Sequence, residues 1–399
     1  MLYANPNATR QPYPAALREV MSIASAAESR QWLAHWPQLR AAGTPLYSLP
    51  DLAAELGIGQ LLVKDESVRS PLGSFKALGA PIALVRLILR SFPQHGFSAA
   101  GLFAGQHAAQ LAGFSVISAT DGNHGKALAA AAQSIGCRCV IVLHANVSLE
   151  REQAIAAYGA QIVRIRGNYD ESVAHAAALA EANDWLVVSD TSYDGYETIP
   201  RDVMQGYGTI AAEVLEANAQ PFTHVFLQGG VGGLAAGIAS YLWEQAGEQR
   251  PVLVMVEPEQ ADCLYQSAIA GKAATATGSV DSVMAGLACG ETSPLAWRFL
   301  QPSVDFFMTI HDYEAVDAMR RLARGSERDI PLVAGESAVA GLAGLARLMG
   351  SPELAAQAGL DGQSRVLLIS TEGATAPGVY AELVDESAES VLQRQQTWG

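Results

Sequence analysis

The chain is poor in charge, in basic residues and in cysteine, and it has no long apolar run. Only 16% of its 399 residues are charged while 50% are hydrophobic. Intrinsic disorder needs low hydrophobicity together with high net charge, so it is excluded. The 25 lysines and arginines face 40 acids, a net charge of -15, which argues against a nucleic-acid or anionic-membrane partner. No stretch reaches the roughly 18 apolar residues of a membrane-spanning helix. The best run, from Ala77 to Leu89, is interrupted by Arg86 and contains Gly79 and Pro81. The first residues, MLYANPNATRQPYP, lack a basic start followed by an apolar stretch, so a cytoplasmic chain is expected. The four cysteines form no CxxC pair and the eight histidines lack metal-ligand spacing, so no metal is expected. Cys137 and Cys139 flank Arg138 at the entry to an expected strand and read as core. Cys263 and Cys289 could approach one another on folding, with buried free thiols the default in a reducing compartment.

What is there in excess is glycine, 37 residues against an average of about 7%. From residue 114 onward, short β-branched runs alternate with alanine-rich helical stretches. Strands are predicted at 114–120, 139–145, 161–167, 185–190, 224–230, 252–258 and 365–371, with helices between them, one capped by Ser148. That alternation predicts an α/β fold with parallel sheets covered by helices on both faces.

Three loops carry candidate chemistry. In SPLGSFKALGA (70–80), Lys76 is expected just inside a helix that continues through residue 92, among Phe75, Ala77 and Leu78. Burial disfavours an ammonium, which would leave a usable amine near neutral pH. A lysine snorkelling from an amphipathic helix is the plainer alternative. In ATDGNHGKALA (119–129), Asp121 to Gly125 form a strand-to-helix turn whose glycines let the backbone approach a flat ligand. Asn123 can offer its amide to a phenolate-like oxygen; an ordinary turn with an Asx cap is the alternative. In QGGVGGLAAG (228–237), Gly229, Gly230, Val231, Gly232 and Gly233 can turn successive N–H groups onto one phosphate. A dinucleotide site would need GxGxxG and a distant acid; Glu257 keeps that possibility open, but the glycine spacing favours a single phosphate.

The GSFK segment, the GNH turn and the GGVGG loop, in that order, resemble the pyridoxal-phosphate enzymes of the tryptophan-synthase-β fold (fold type II). The resemblance implies two open, mostly parallel sheets with pyridoxal 5'-phosphate in the cleft between two domains. Residues 1–86 and 214–399 would form the larger domain and 87–213 the smaller. It further implies Lys76 as the Schiff-base lysine, Asn123 at the pyridine 3-oxygen and Gly229–Gly233 around the phosphate. Ser370, or failing it Thr371, would face the pyridine nitrogen, and Glu336 in GESAVAGL would open a helix beside the cofactor.

Dehydratases of this fold usually carry Ser or Thr where this chain has Asp121, and SFKxR where it has SFKAL. TDGNHG, the DT-x-x-x-GY-x-x-IP-x-x-x-MQGY segment and MAGLACGE are instead similar to the diaminopropionate ammonia-lyases, a branch of the same fold. That resemblance implies a homodimer converting 2,3-diaminopropionate and water into pyruvate and two ammonia. The residue types suit the chemistry. A cationic substrate side chain prefers carboxylates, which Asp121 and Asp190 supply. Lys76 is the natural base on one face, and Asp121 on the other would admit both D and L substrates. As alternatives, Asp121 could cap the helix that begins near Gly125 and Asp190 could be a strand-end structural acid. Glu257 and Glu336 read as structural or supporting acids, and His124 as packing or hydrogen-bonding near the cofactor. Two other functions remain open at this stage, a serine/threonine dehydratase or other β-eliminating lyase, and a non-catalytic amino-acid sensor.

Overall fold

Short leucine, isoleucine and valine runs form eleven strands in the computed structural model, which describes residues 2–120, 122–145, 147–167 and 169–398, Asp170 by its backbone alone. They are β1 (Leu2–Ala4), β2 (Leu46–Ser48), β3 (Gln60–Asp65), β4 (Ser115–Ala119), β5 (Arg138–Leu143), β6 (Gln161–Arg164), β7 (Leu186–Val187), β8 (His224–Gln228), β9 (Val252–Pro258), β10 (Phe306–Ile310) and β11 (Arg365–Ser370). Seven of them make one sheet in the order β1-β10-β9-β8-β11-β3-β2, and the other four a second, β6-β5-β4-β7. Only the edge strands β1 and β2 run antiparallel to their neighbours. β8 is buried along its whole length, as a parallel strand covered on both faces must be.

Every predicted strand forms, within a few residues. The four that were not predicted are β1 and β2, three-residue edges, with β10 and β3. In β3 the charged Lys64 and Asp65 enter the core, which disguised a buried strand as a surface one. The predicted strand at 185–190 shrinks to β7. The Tyr196 hydroxyl donates to the Val187 carbonyl and accepts from Ser189 N–H, each at 2.9 Å, which ends the ladder and leaves Asp190 in the loop beyond.

The helix expected to run from Lys76 through residue 92 is broken in two. Phe75–Leu78 is a 3-10 turn, and a separate α-helix spans Ala80–Ser91. Pro81, in the first turn of that helix, has no N–H to give and a ring that blocks continuation from upstream. Gly79 sits at the break, where a Cβ would lie 2.6 Å from the Tyr207 hydroxyl. Ser148 caps the helix Leu149–Ala156 through Arg151 N–H as expected, at 3.3 Å.

One apolar cluster runs continuously from Ile141 in the four-stranded sheet through Ile82, Leu84 and Val203 to Val225 and Leu253 in the seven-stranded sheet. Two further clusters cover the outer faces of the two sheets. This shared core holds the carboxyl ends of β4, β7, β8 and β11 near one another, where open α/β sheets bind ligands. Among the described residues no helix is long and apolar enough to cross a membrane.

Candidate active site

Each strand end delivers one part of the site: β8 runs into Gly229–Gly233, β11 into Thr371 and Glu372, β4 toward Asn123, and β7 toward Asp190. Lys76 comes from the 3-10 turn. Asp121, the residue expected to distinguish this chain from a dehydratase, lies outside the described residues.

Lys76 Nζ donates to Asp190 Oδ2, with the two side chains 21% and 22% exposed. The ammonium also lies 5.2 Å from the centre of the Phe75 ring and 6.0 Å from that of Tyr207. Burial pulls Lys76 toward the neutral amine, but the Asp190 carboxylate outweighs it and holds the lysine above its ordinary range. Burial likewise opposes the charge on Asp190, and Lys76 reverses that effect, holding the carboxylate well below its ordinary range. The expectation of an amine neutralised by burial is therefore overturned. In this arrangement Lys76 is an ion-paired ammonium, because Asp190 lies within hydrogen-bond reach.

His124 is buried, and its Nε2 lies 2.9 Å from the Val188 carbonyl. A carbonyl only accepts, so Nε2 carries the proton and Nδ1 turns a lone pair toward Asp190, 3.7 Å away. Burial pushes this imidazole below its ordinary pKa, which keeps it neutral. The helix expected near Gly125 begins already at Asn123. Gly125 is small for packing rather than for ligand approach, since a Cβ there would lie 2.5 Å from the Thr120 methyl.

The amides of Gly230, Val231 and Gly232 donate to no other described residue, and they lead into the N-terminus of the helix Gly233–Ala246. Gly232, at φ 102°, adopts the left-handed backbone that favours glycine. A Cβ on Gly233 would lie 3.7 Å from the Asp190 carbonyl, so the loop borders the Lys76–Asp190 pair. Cys263 and Cys289 do converge. Cys263 Sγ lies 3.5 Å from the Gly230 carbonyl, and Cys289 Sγ would lie 3.2 Å from a Cβ on the same glycine. Glu257 closes the dinucleotide alternative. Its two oxygens accept from Leu264 and Tyr265 N–H at 2.8 and 2.7 Å, capping the helix Cys263–Ala270.

The loop after β11 pairs with the backbone around Lys76, with Phe75 N–H on the Thr371 carbonyl at 2.9 Å and Gly373 N–H on that of Gly73 at 3.0 Å. Ser370 Oγ is buried and has no partner among the described residues, whereas Thr371 Oγ1 accepts from Gln228 at 3.4 Å. Glu336 is buried in a turn instead of opening a helix, because the helix starts only at Ala340. It meets Arg151 at 3.3 Å, and burial, reinforced by Glu372, pushes it up to about 7.

Two residues at the site were not among those expected. Glu372 accepts from Asn123 Nδ2 through Oε2, and the Tyr207 hydroxyl is buried close to Lys76. Tyr207 stands in the quoted MQGY segment and Glu372 directly follows Thr371, so the signal was adjacency to residues already singled out.

Among the described residues, five of the fifteen buried polar atoms without a partner lie here: Ser74 Oγ, His124 Nδ1, Tyr207 OH, Ser370 Oγ and Glu372 Oε1. Leaving a buried polar group unsatisfied costs roughly 1–3 kcal/mol, a cost that a bound ligand or ordered water meeting these atoms would remove. The amine, the open N–H row and the hydroxyls suit an aldehyde-bearing, phosphorylated heteroaromatic group. A separate cavity of about 750 Å³, walled by Leu52, Glu55, Arg321 and Arg347 among others, contains none of these residues.

Comparison with known proteins agrees with this donor set. The family model described as pyridoxal-phosphate dependent enzyme matches residues 38–372. Diaminopropionate ammonia-lyase of Salmonella typhimurium is 37% identical over 353 residues, covering 86% of this chain and 87% of that protein. The crystal structure of the Escherichia coli diaminopropionate ammonia lyase with an aminoacrylate–PLP azomethine reaction intermediate superimposes with a TM-score of 0.86 at 34% identity, covering 96% of each chain. The same enzyme with D-serine covers 98% of each, again at a TM-score of 0.86 and 34% identity.

Proposed function

We propose, for a chain that belongs to the pyridoxal-phosphate-dependent enzymes and within them to the diaminopropionate ammonia-lyases, that it converts D- and L-2,3-diaminopropionate and water into pyruvate and two ammonia. One observation carries the reading: Lys76, Asp190 and the open N–H row of Gly230–Gly232 meet in one place within a chain so similar to those lyases. The D-serine complex of the E. coli enzyme supports acceptance of D substrates.

In this reading Lys76 holds the cofactor aldehyde, Gly229–Gly233 hold its phosphate, Asn123 its 3-oxygen, and Ser370, in preference to the already bonded Thr371, its ring nitrogen. Bound pyridoxal phosphate withdraws electrons from the substrate Cα and so makes its proton removable. Lys76 Nζ, released by the incoming substrate amine, takes that proton on one face. Asp190 stabilises the ammonium so formed, which can return the proton to the departing β-nitrogen. Asp121 serves the opposite face for the other enantiomer. Residues 1–86 with 214–399, and 87–213, act as the two units around the cleft. The enzyme works as a cytoplasmic homodimer.

Pyruvate and ammonia release from each enantiomer by purified holoenzyme tests the proposal. A 1:2 ratio from both is expected. No pyruvate from either, or faster turnover of serine or threonine, would overturn it. Asp121→Asn should lose turnover of D substrate far more than of L; equal losses remove the two-face role.

A further inference from the structure

Asn123 is a common terminal amide, and an amide can present either its oxygen or its two N–H groups to a neighbour. What decides here is Glu372. Its carboxylate can only accept when ionised, and Oε2 takes the Asn123 Nδ2 hydrogen bond, so the NH2 end of Asn123 is the end turned inward. One N–H is then spent on Glu372 and the second is left to donate.

Glu372 is itself held in place. Its residue pairs with Ser74 across an isolated antiparallel bridge, two positions before Lys76. Thr375 Oγ1 donates to the same Oε2 at 3.3 Å, and Gly335 N–H donates to the Glu372 carbonyl at 2.9 Å. The side chain is only 4% exposed, and Oε1 has no partner among the described residues. A buried acid bonded to Asn123 and Thr375 in the loop paired with the Lys76 turn points to a positioning task.

We propose that Glu372 is a positioning residue: it fixes the orientation of the Asn123 amide so that the remaining N–H of Asn123 faces the cofactor. The inference rests on the reading above in which Asn123 meets the cofactor's 3-oxygen. In this role Glu372 reaches the cofactor through Asn123, so in the cofactor readouts the two should behave as a unit. Losing Glu372 frees the amide to flip and lowers the fraction of molecules with the donor correctly turned.

The test uses the holoenzyme and reads the visible absorbance of the bound cofactor, the pH midpoint of that band and the cofactor dissociation constant, alongside turnover. Asn123→Ala, Glu372→Ala, Glu372→Gln and the double Asn123→Ala/Glu372→Ala variant are compared. Asn123→Ala should shift the band midpoint and weaken cofactor binding about tenfold. Glu372→Ala should reproduce most of both changes, and the double variant should be no worse than Asn123→Ala alone. Glu372→Gln keeps an acceptor oxygen and should restore the spectrum; if Glu372→Ala does not fold, this variant with Asn123→Ala/Glu372→Gln carries the same comparison. Additive losses, or an unperturbed band in Glu372→Ala when Asn123→Ala moves it, overturn the role of Glu372 alone. An unperturbed band in Asn123→Ala overturns the cofactor contact of Asn123 and this role with it.

Discussion

Two lysine–carboxylate pairs in this molecule, one buried and one partly exposed, are finished differently. Lys64 on β3 pairs with Glu213 at 2.6 Å, and Arg69 joins Glu213 and Glu66 at 2.7 and 2.8 Å. Thr44 closes the network, accepting from Lys64 through its carbonyl and donating its hydroxyl to Glu66, each at 2.7 Å. Burial opposes the charge on Glu213, but Arg69 and then Lys64 hold it down to about 2. Around Lys76 and Asp190, by contrast, unpartnered atoms of Ser74, Tyr207, His124 and Ser370 remain. The Lys64 network closes its bonds within the protein, whereas the surroundings of Lys76 leave several open among the described residues.

The comparison breaks most visibly at Glu213. Glu213→Ala strands two buried cations and should cost about 3–5 kcal/mol in denaturant unfolding, while turnover per folded molecule stays at the wild-type value. A drop in turnover without a loss of stability would put this network in the site. The Glu213 contribution is present above the ordinary carboxylate range and is lost as pH falls toward about 2, so acid unfolding should lose a step in the variant. Asp190→Asn should do the reverse, reducing turnover by about 100-fold or more with little change in unfolding, because Lys76 keeps access to water. A stability loss as large as that of Glu213→Ala would make Asp190 a structural acid.

The smallest expected effect separates Glu336 from both pairs. Its pKa of about 7 lies above that of an unfolded carboxyl, so the folded state holds the proton more tightly. Stability therefore falls as pH rises from the ordinary carboxylate range through about 7. Glu336→Gln should flatten that slope, as read by melting temperature against pH; an unchanged slope removes the shift.

The parallel sheets were legible because apolar runs of the right length alternate with helices, and the phosphate loop was legible because only glycines open consecutive amides at a strand end. β3 was hidden by Lys64 and Asp65: Lys64 is buried against Glu213, 149 residues away, and Asp65 accepts from Ser67 N–H in the turn beyond the strand. The charge state of Lys76 was misread for the same reason: its apolar neighbours are adjacent in sequence, but Asp190 is 114 residues away. Glu372 escaped because nothing local says that an acid after a strand will meet an asparagine 249 residues earlier. Local chemistry shows in a sequence, whereas partners brought by the fold do not.

The central claim is that Lys76, and not the more deeply buried Lys64, is the functional amine. Borohydride reduction of the holoenzyme, followed by digestion and mass spectrometry, fixes the lysine–cofactor bond and reports its position. The account predicts the pyridoxyl adduct on the peptide carrying Lys76 and none in Lys76→Ala. An adduct on Lys64, or on any other lysine of the native enzyme, would contradict it.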